Sequence, residues 1–142
     1  MISDERILYL ASPSNDAFSY MDRMNEGFKM FKMYYTNMSF VMKYFSFMKN
    51  VAYDVVRVFN CGNLYSIYIL AAMQSHYCNK SIQKYGWRMI RSLKQKNDAE
   101  APLQLLLVTF NRTLPVFSDS YSTIENALSA ISISSKGDVQ LL

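Results

Sequence analysis

The sequence predicts an all-α fold, arranged as a right-handed α-solenoid of about three helical repeats. Residues 25–52 and 67–94 follow one pattern at a constant spacing of 42 positions, and a period of about 40 to 47 residues is typical of helical repeat proteins. Apolar residues recur at steps of three and four, as on one face of a helix. Four Gly and three Pro in 142 residues are too few for a chain built of many tight β turns.

The repeated pattern is clearest at two places. Residues 37–40 (Asn-Met-Ser-Phe) correspond to residues 79–82 (Asn-Lys-Ser-Ile), and residues 48–51 (Met-Lys-Asn-Val) correspond to residues 90–93 (Ile-Arg-Ser-Leu). Repeat units of this kind cannot bury an apolar face alone and must stack on their neighbours. The pattern therefore predicts stacked helical units.

The first half of the chain is divided by breakers. A short helix over 4–11 is expected to end at the Ser-Pro-Ser-Asn-Asp run of 12–16. A helix over 17–35 follows, a second covers 38–52, and a short third covers 53–60 before a stop at 61–63, which contains a Gly. The apolar face of the helix over 17–35 comprises Phe18, Met21, Met24, Phe28 and Phe31.

The second half repeats the arrangement. Helices are predicted over 64–76 and 80–95, and Pro102 suits the first turn of another. A strand is the rival for the apolar run 103–110, but the helical surroundings favour a helix with Leu103, Leu106, Leu107, Phe110 and Leu114 on its face. A last helix covers 121–133. Because Ile124 follows Ile82 by 42 positions, a degenerate third unit is expected there.

These elements predict a division of the chain into five parts. Residues 1–16 would form an N-terminal capping segment, and residues 135–142 would form a frayed tail. The repeats between them would cover 17–60, 61–97 and 98–134.

Asn37 and Asn79 each begin an Asn-X-Ser/Thr triplet, which would matter for glycosylation only in a secreted protein. Each also lies just ahead of a predicted helix, where an amide side chain can accept a hydrogen bond from a free backbone N–H. Helix capping is the better explanation of both residues.

Residues 82–93 (Ile-Gln-Lys-Tyr-Gly-Trp-Arg-Met-Ile-Arg-Ser-Leu) resemble the third helix of an armadillo repeat, and the helix that ends at 72–76 resembles the second. HEAT repeats would leave a similar trace. The resemblance implies that Gly86 lets helices approach closely, and that Ser92 and Asn50 occupy the position of the Asn that lines the concave groove. Repeats that bind nuclear-localisation signals place a Trp four residues before that Asn, where this chain has Arg88 and Ser46. Import-adaptor activity is therefore not implied.

Composition and motifs favour a non-enzymatic protein in the cytoplasm or nucleus. The net charge is only +4, the N-terminus lacks a secretory pattern, and no apolar run approaches the length of a membrane span. Cys61 and Cys78 match neither a disulfide framework nor a zinc spacing, so reduced thiols are expected. His76 lacks a neighbouring carboxylate and is interpreted as a turn residue. We expect no catalytic residue, no metal and no cofactor.

The candidate site is a strip on the concave helical face. Arg88, Arg91, Ser92 and Gln95 cluster at helical steps of three and four, and Ser46, Lys49 and Asn50 extend them one unit away. We call these seven residues the basic strip. The hypothesis is that it binds an extended or acidic protein or peptide partner, with Asn50 pairing to the backbone and the cations to carboxylates. A solvated helix face is the other interpretation of the same residues.

Two further functions stay open at this point. A structural or assembly subunit would self-associate as a homo-oligomer through the Met- and Tyr-rich face of 21–44. Nucleic-acid binding through Lys84, Arg88, Arg91, Lys94 and Lys96 ranks last, because the sequence contains no basic run of five or more and no nucleic-acid module.

Overall fold

The computed structural model describes residues 17–52, 62–95 and 102–141, and these ranges are helical with no strand. The all-α prediction is confirmed for them, including the helix over the apolar run 103–110. The predicted helices over 4–11 and 53–60 lie outside the described residues, as does the polar link over 96–100. The six described helices are α1 (Ala17–Tyr34), α2 (Met38–Met48), α3 (Gly62–Ser75), α4 (Lys80–Gln95), α5 (Leu103–Phe117) and α6 (Tyr121–Leu141).

Three helix ends differ from prediction. Helix α2 ends at Met48 rather than near Ala52, with Lys49 as its C-cap. Pro102 is the N-cap of α5, with an extended ψ of 140°, and lies just outside the helix. Helix α6 continues past Ile133 to Leu141, through serines and a glycine whose low helix propensity predicts an earlier end.

The same turn joins α1 to α2, α3 to α4 and α5 to α6. In each, the N–H of a turn residue (Asn37, Asn79 or Ser120) donates to the carbonyl three residues earlier, and its own carbonyl accepts from the N–H four residues later. The Asn37 Oδ1 accepts from the Phe40 N–H at 3.0 Å, and the Asn79 Oδ1 accepts from the Ile82 N–H at 2.9 Å. The capping role predicted for both asparagines is confirmed.

We expect Asn79→Ala to lower the free energy of unfolding by about 1 kcal/mol, because the first N–H groups of α4 lose a side-chain acceptor. Urea denaturation followed by circular dichroism measures the change. Asn79→Asp is the matched control, since it keeps an acceptor oxygen at the helix N-terminus and should retain the stability of the wild type. Equal losses in the two variants would contradict the capping argument.

The third turn is one residue out of step with the predicted period. Asn79 follows Asn37 by 42 residues, whereas Ser120 follows Asn79 by 41. We call each pair of helices joined by such a turn a hairpin. In the third hairpin, α5 and α6, Thr123 takes the position that Ile82 has in the second. Thr123 is fully buried, whereas Ile124, which the 42-residue period predicts there, is half-buried. The Ser120 Oγ lies 2.9 Å from the Thr123 Oγ1, a hydroxyl pair at the site where the first two turns use an amide.

The three hairpins pack side by side, with α4 at the centre. Helix α4 contacts α2, α3, α5 and α6, and α3 contacts α5. Trp87 on α4 is fully buried and packs edge-to-face on Phe110 of α5, with ring centroids 6.2 Å apart. The right-handed solenoid, its repeat boundaries and the predicted terminal segments stay predictions.

Aromatic side chains fill the contact between the first two hairpins. Phe31 of α1 stacks on Tyr44 of α2 at 4.8 Å and meets Tyr65 of α3 edge-on at 6.2 Å. The Tyr44 and Tyr65 hydroxyls lie 3.3 Å apart, in hydrogen-bond distance inside the core. Large rings bury extensive apolar area, and edge-on pairs add a favourable quadrupole interaction.

Two residues of α4 determine how it packs against α3. Gly86 is buried, and a Cβ added there would lie 2.5 Å from the Met73 Sδ. Gln83 is fully buried, and its Nε2 donates to the Met73 and His76 carbonyls at 2.9 Å. Those carbonyls belong to the last turn of α3 and its exit, where intrahelical donors run out. A side-chain amide from α4 thus completes the end of α3.

Candidate functional site

The basic strip lies on α2, on the turn that follows it, and on α4, which contacts α2. Ser46 and Ser92 are half-buried, Asn50 is exposed in the turn after α2, and Arg88 is exposed on α4. Gln95 is the last residue of α4, and its side chain lies outside the described residues. The structure places the strip across neighbouring helices, as stacked units require.

Lys49 anchors α2 to α4. Its Nζ donates to the Ser46 carbonyl at 2.9 Å and lies 4.7 Å from the centroid of the Tyr85 ring. A cation over an aromatic face at this distance gains electrostatic energy from the ring quadrupole. The ammonium therefore already has two partners within the protein.

Arg91 makes an analogous link from α4 to α6. Its Nη1 donates to the Asn126 Oδ1 at 2.9 Å, and the side chain is half-buried. Lys49 and Arg91 each lie 12 residues after their turn residue, and their partners Tyr85 and Asn126 each lie six residues after theirs. In both cases the side chain twelve residues after one turn residue contacts the side chain six residues after the turn residue of the following hairpin.

Arg88 lies beside a cavity of about 270 Å³ between α4 and α6. The cavity is lined by Lys84, Tyr85, Arg88, Ser122 and Asn126. Lys84 and Arg88 are exposed, and the described lining residues comprise these two cations, Tyr85 and two neutral polar side chains, with no carboxylate among them. Such a lining favours an anionic group.

A second, more open depression of about 370 Å³ also lies between α4 and α6, with Arg91 as its α4 residue. Its other lining residues belong to α6 and are mainly apolar or aromatic, with one carboxylate. Tyr121 is 80% exposed and Leu128 is 49% exposed. The described lining residues are Arg91, Tyr121, Ile124, Glu125, Leu128 and Ser129.

Sequence reasoning on the strip omitted four of the cavity residues. Lys84 precedes Arg88 by one helical turn, so the three-and-four spacing could have added it to the strip. No spacing in the sequence pointed to Ser122 and Asn126, because the third hairpin is shifted by one residue from the 42-residue period of the first two. A step of 42 from Arg88 leads to the buried Ala130, whereas the observed step of 41 leads to Ser129.

Other polar groups have structural partners. The His76 Nε2 lies 3.0 Å from the Tyr35 carbonyl, and the imidazole is 6% exposed, which places it in the contact between the first two hairpins. Lys80 pairs with Asp119 at 2.9 Å, and the hydrogen bond and charge of the ammonium lower the pKa of that carboxyl. Cys78 is an exposed thiol, and Cys61 lies outside the described residues.

Within residues 17–52, 62–95 and 102–141, no group of three or more His, Cys, Asp or Glu side chains could hold a metal ion. Among the helices of these same ranges, none combines the length and the apolar character that crossing a membrane requires. Comparison with protein-family models, curated proteins and solved structures finds no match to this chain.

Proposed function

We propose that this chain is an α-solenoid of three armadillo- or HEAT-like repeats that acts as a non-enzymatic protein-interaction module in the cytoplasm or nucleus. The recurrence of one turn geometry at Asn37, Asn79 and Ser120 supports the repeat architecture. The partner is an extended acidic peptide, held along the face where α2, α4 and α6 lie side by side.

One observation carries the proposal: the cavity between α4 and α6 joins two exposed cations to neutral hydrogen-bonding groups. Lys84 and Arg88 would bind a carboxylate of the peptide, and Ser122 and Asn126 would hydrogen-bond its backbone. Tyr85 would provide an apolar wall. A solvated face of a single helix would not need matching polar groups on the neighbouring helix.

The roles within the basic strip differ from one cation to the next. Lys49 and Arg91 hold adjacent hairpins together through Tyr85 and Asn126, so they set the spacing of the face. Arg88 and Lys84 contact the partner. A variant that reverses Arg91 would also break the bond to Asn126, and Lys84 and Arg88 are therefore the residues to test.

We expect Lys84→Glu/Arg88→Glu to weaken binding of a fluorescein-labelled peptide of alternating glutamate and serine at least about tenfold. Each charge-assisted hydrogen bond contributes about 1.5–3 kcal/mol, and about 1.4 kcal/mol corresponds to a factor of ten. Fluorescence anisotropy measures the affinity, with circular dichroism to verify that helicity is retained. A peptide of alternating glutamine and serine should bind far more weakly than the acidic peptide.

Lys29→Glu/Lys136→Glu is the matched control, because it changes the net charge equally through exposed residues of α1 and α6 that do not line the cavity. It should bind the acidic peptide within about twofold of the wild type, since only screened long-range attraction is lost. Equal weakening in both double variants would assign binding to net charge and contradict the site. Tighter binding of oligothymidine than of the acidic peptide, lost steeply with salt, would favour nucleic acid instead.

A second candidate function is that of an assembly subunit that self-associates through the Met- and Tyr-rich face of 21–44. Four methionines in this range are 38–70% exposed: Met21, Met33, Met38 and Met42. Met24 and Tyr44 are buried in the core instead. A self-associating chain gains mass with concentration, whereas a pure peptide-binding module does not.

A further inference from the structure

Equivalent positions in the three hairpins differ in burial in a consistent way. Eight residues after each turn residue stand Phe45, Trp87 and Leu128. The first two are 0% exposed, whereas Leu128 is 49% exposed. Thirteen residues before each turn residue stand Met24, Ser66 and Leu107, which are 2%, 1% and 41% exposed. Positions that are buried in the first and second hairpins are open in the third.

Two more positions behave alike. Eleven residues after the turn residue, Met48 and Ile90 are buried, whereas Ile131 is half-buried. Six residues before the turn residue, Phe31 and Met73 are buried, whereas Leu114 is half-buried. At these four positions the third-hairpin residue is aliphatic, although the same change of burial also occurs at the polar Asn111. We call this surface the trailing end: Leu107, Leu114, Leu128 and Ile131.

The following hairpin covers these positions inside the chain. Phe31 of the first hairpin packs on Tyr65 of the second, with ring centroids 6.2 Å apart. Trp87 of the second packs on Phe110 of the third at 6.2 Å. In the third hairpin Leu107 and Leu128 are 41% and 49% exposed, so no described residue covers them in this way. What fits the trailing end is therefore the opposite side of a hairpin of this kind.

The first hairpin presents that opposite side. Ten residues after the turn residue, Phe47 is half-buried whereas Met89 and Ala130 are buried. Three residues before it, Tyr34 is half-buried whereas His76 and Phe117 are buried. In the second hairpin, the preceding one covers this side, as the contact of His76 with the Tyr35 carbonyl shows. Seven residues before the turn residue, Met30 is also half-buried, whereas Ala72 and Thr113 are buried. Met30, Tyr34 and Phe47 form the leading end.

We infer that the trailing end of one copy of this chain binds the leading end of a second copy, so that copies associate head to tail. The contact would repeat between chains the packing that joins consecutive hairpins within one chain, and both ends expose apolar area that association would remove from water. Because the two surfaces differ, the contact is heterologous and leaves each dimer with one end of each kind. The inference goes beyond the peptide-binding proposal and does not depend on it.

The exposed methionines are not part of either end. Met33 occupies a position that is exposed as Ser75 in the second hairpin, and Met38 occupies one that is exposed as Lys80 there. Positions exposed in successive hairpins face solvent and not a neighbouring hairpin. The inferred contact therefore does not use the exposed methionines of the Met- and Tyr-rich face.

The test is the mass of the full chain in solution as a function of concentration, by sedimentation equilibrium. We expect the wild-type mass to rise above 16.5 kDa toward its multiples. Leu107→Glu/Leu128→Glu should remain at the monomer mass, with association at least about tenfold weaker, and should keep its helicity because both side chains are already exposed. Met33→Glu/Met38→Glu is the matched control and should associate like the wild type.

Mixing separates a head-to-tail contact from a symmetric one. The leading-end variant Phe47→Glu is expected to be monomeric alone. If Phe47→Glu loses helicity, Met30→Glu replaces it. Mixed in equal amounts with Leu107→Glu/Leu128→Glu, it should form dimers and nothing larger, since one intact end of each kind remains. A monomeric wild type, unchanged association of the trailing-end variant, loss in the methionine control, or failure of the mixture to dimerise would each overturn the inference.

Discussion

Trp87→Ala is expected to lower the free energy of unfolding by about 3–5 kcal/mol, the range for truncating a fully buried large aromatic side chain. The indole lies on the central helix α4 and packs on Phe110 of α5, so its removal leaves a cavity between two hairpins. Because domains of this size are stable by only about 5–15 kcal/mol, the loss is a large share of the total.

Urea denaturation followed by far-ultraviolet circular dichroism is the appropriate measurement, because Trp87 is the only tryptophan and its fluorescence disappears with it. Trp87→Phe is the matched control. The Trp87 Nε1 has no hydrogen-bond partner among the described residues, so replacing it with phenylalanine leaves no acceptor there without its donor and should cost less than about 2 kcal/mol. A loss below about 1 kcal/mol in Trp87→Ala would contradict the central position of α4 in the core.

Gly86→Ala is expected to destabilise the chain even though alanine is the better helix former by about 1 kcal/mol. The new methyl group would lie 2.5 Å from the Met73 Sδ and 2.6 Å from its Cγ. Met73 is fully buried, so in a close-packed core its side chain can move only by displacing its neighbours. Overpacking of this kind costs about 1–3 kcal/mol, which exceeds the gain in helix propensity.

The sign of this effect should reverse when Met73 is shortened. Met73→Ala alone should cost about 2–5 kcal/mol through the cavity that it leaves. In that background Gly86→Ala should stabilise, because the clash is gone and the propensity gain remains. A double-mutant cycle by urea denaturation would then give a coupling energy of about 1–3 kcal/mol, and additive effects would contradict the close approach of α3 and α4.

Sequence periodicity predicted where the helices lie better than which side chains they bury. In α1, Met24, Phe28 and Phe31 of the predicted face are buried, but in α5 Leu106 is buried whereas Leu107 is 41% exposed. The end of α6 was placed too early, because local propensity at Ser134 and Ser135 favours a stop that the backbone does not make. Propensity counts single residues, whereas the helix is extended by bonds from one turn to the next.

The candidate site could be predicted only on its α4 side. Spacing within one helix brings Arg88 and Arg91 together, and this follows from helix geometry alone. Their neighbours across the groove, Ser122 and Asn126, depend on how α6 is rotated about its axis. That rotation follows from the turn at Ser120, whose position 41 residues after Asn79 departs from the period that the first two units define.

The three equivalent turns have a consequence for how this chain tolerates changes in length. Each turn sets the starting phase of the helix after it, through the same pair of backbone hydrogen bonds. If one residue is deleted between Asn79 and Ser120, the residue numbers of α6 change by one. Its side chains still face α4, because the turn at Ser120 sets where the helix begins. Insertions and deletions ahead of a turn are confined to the unit in which they occur, so such a chain can change length in one module while the others keep their packing.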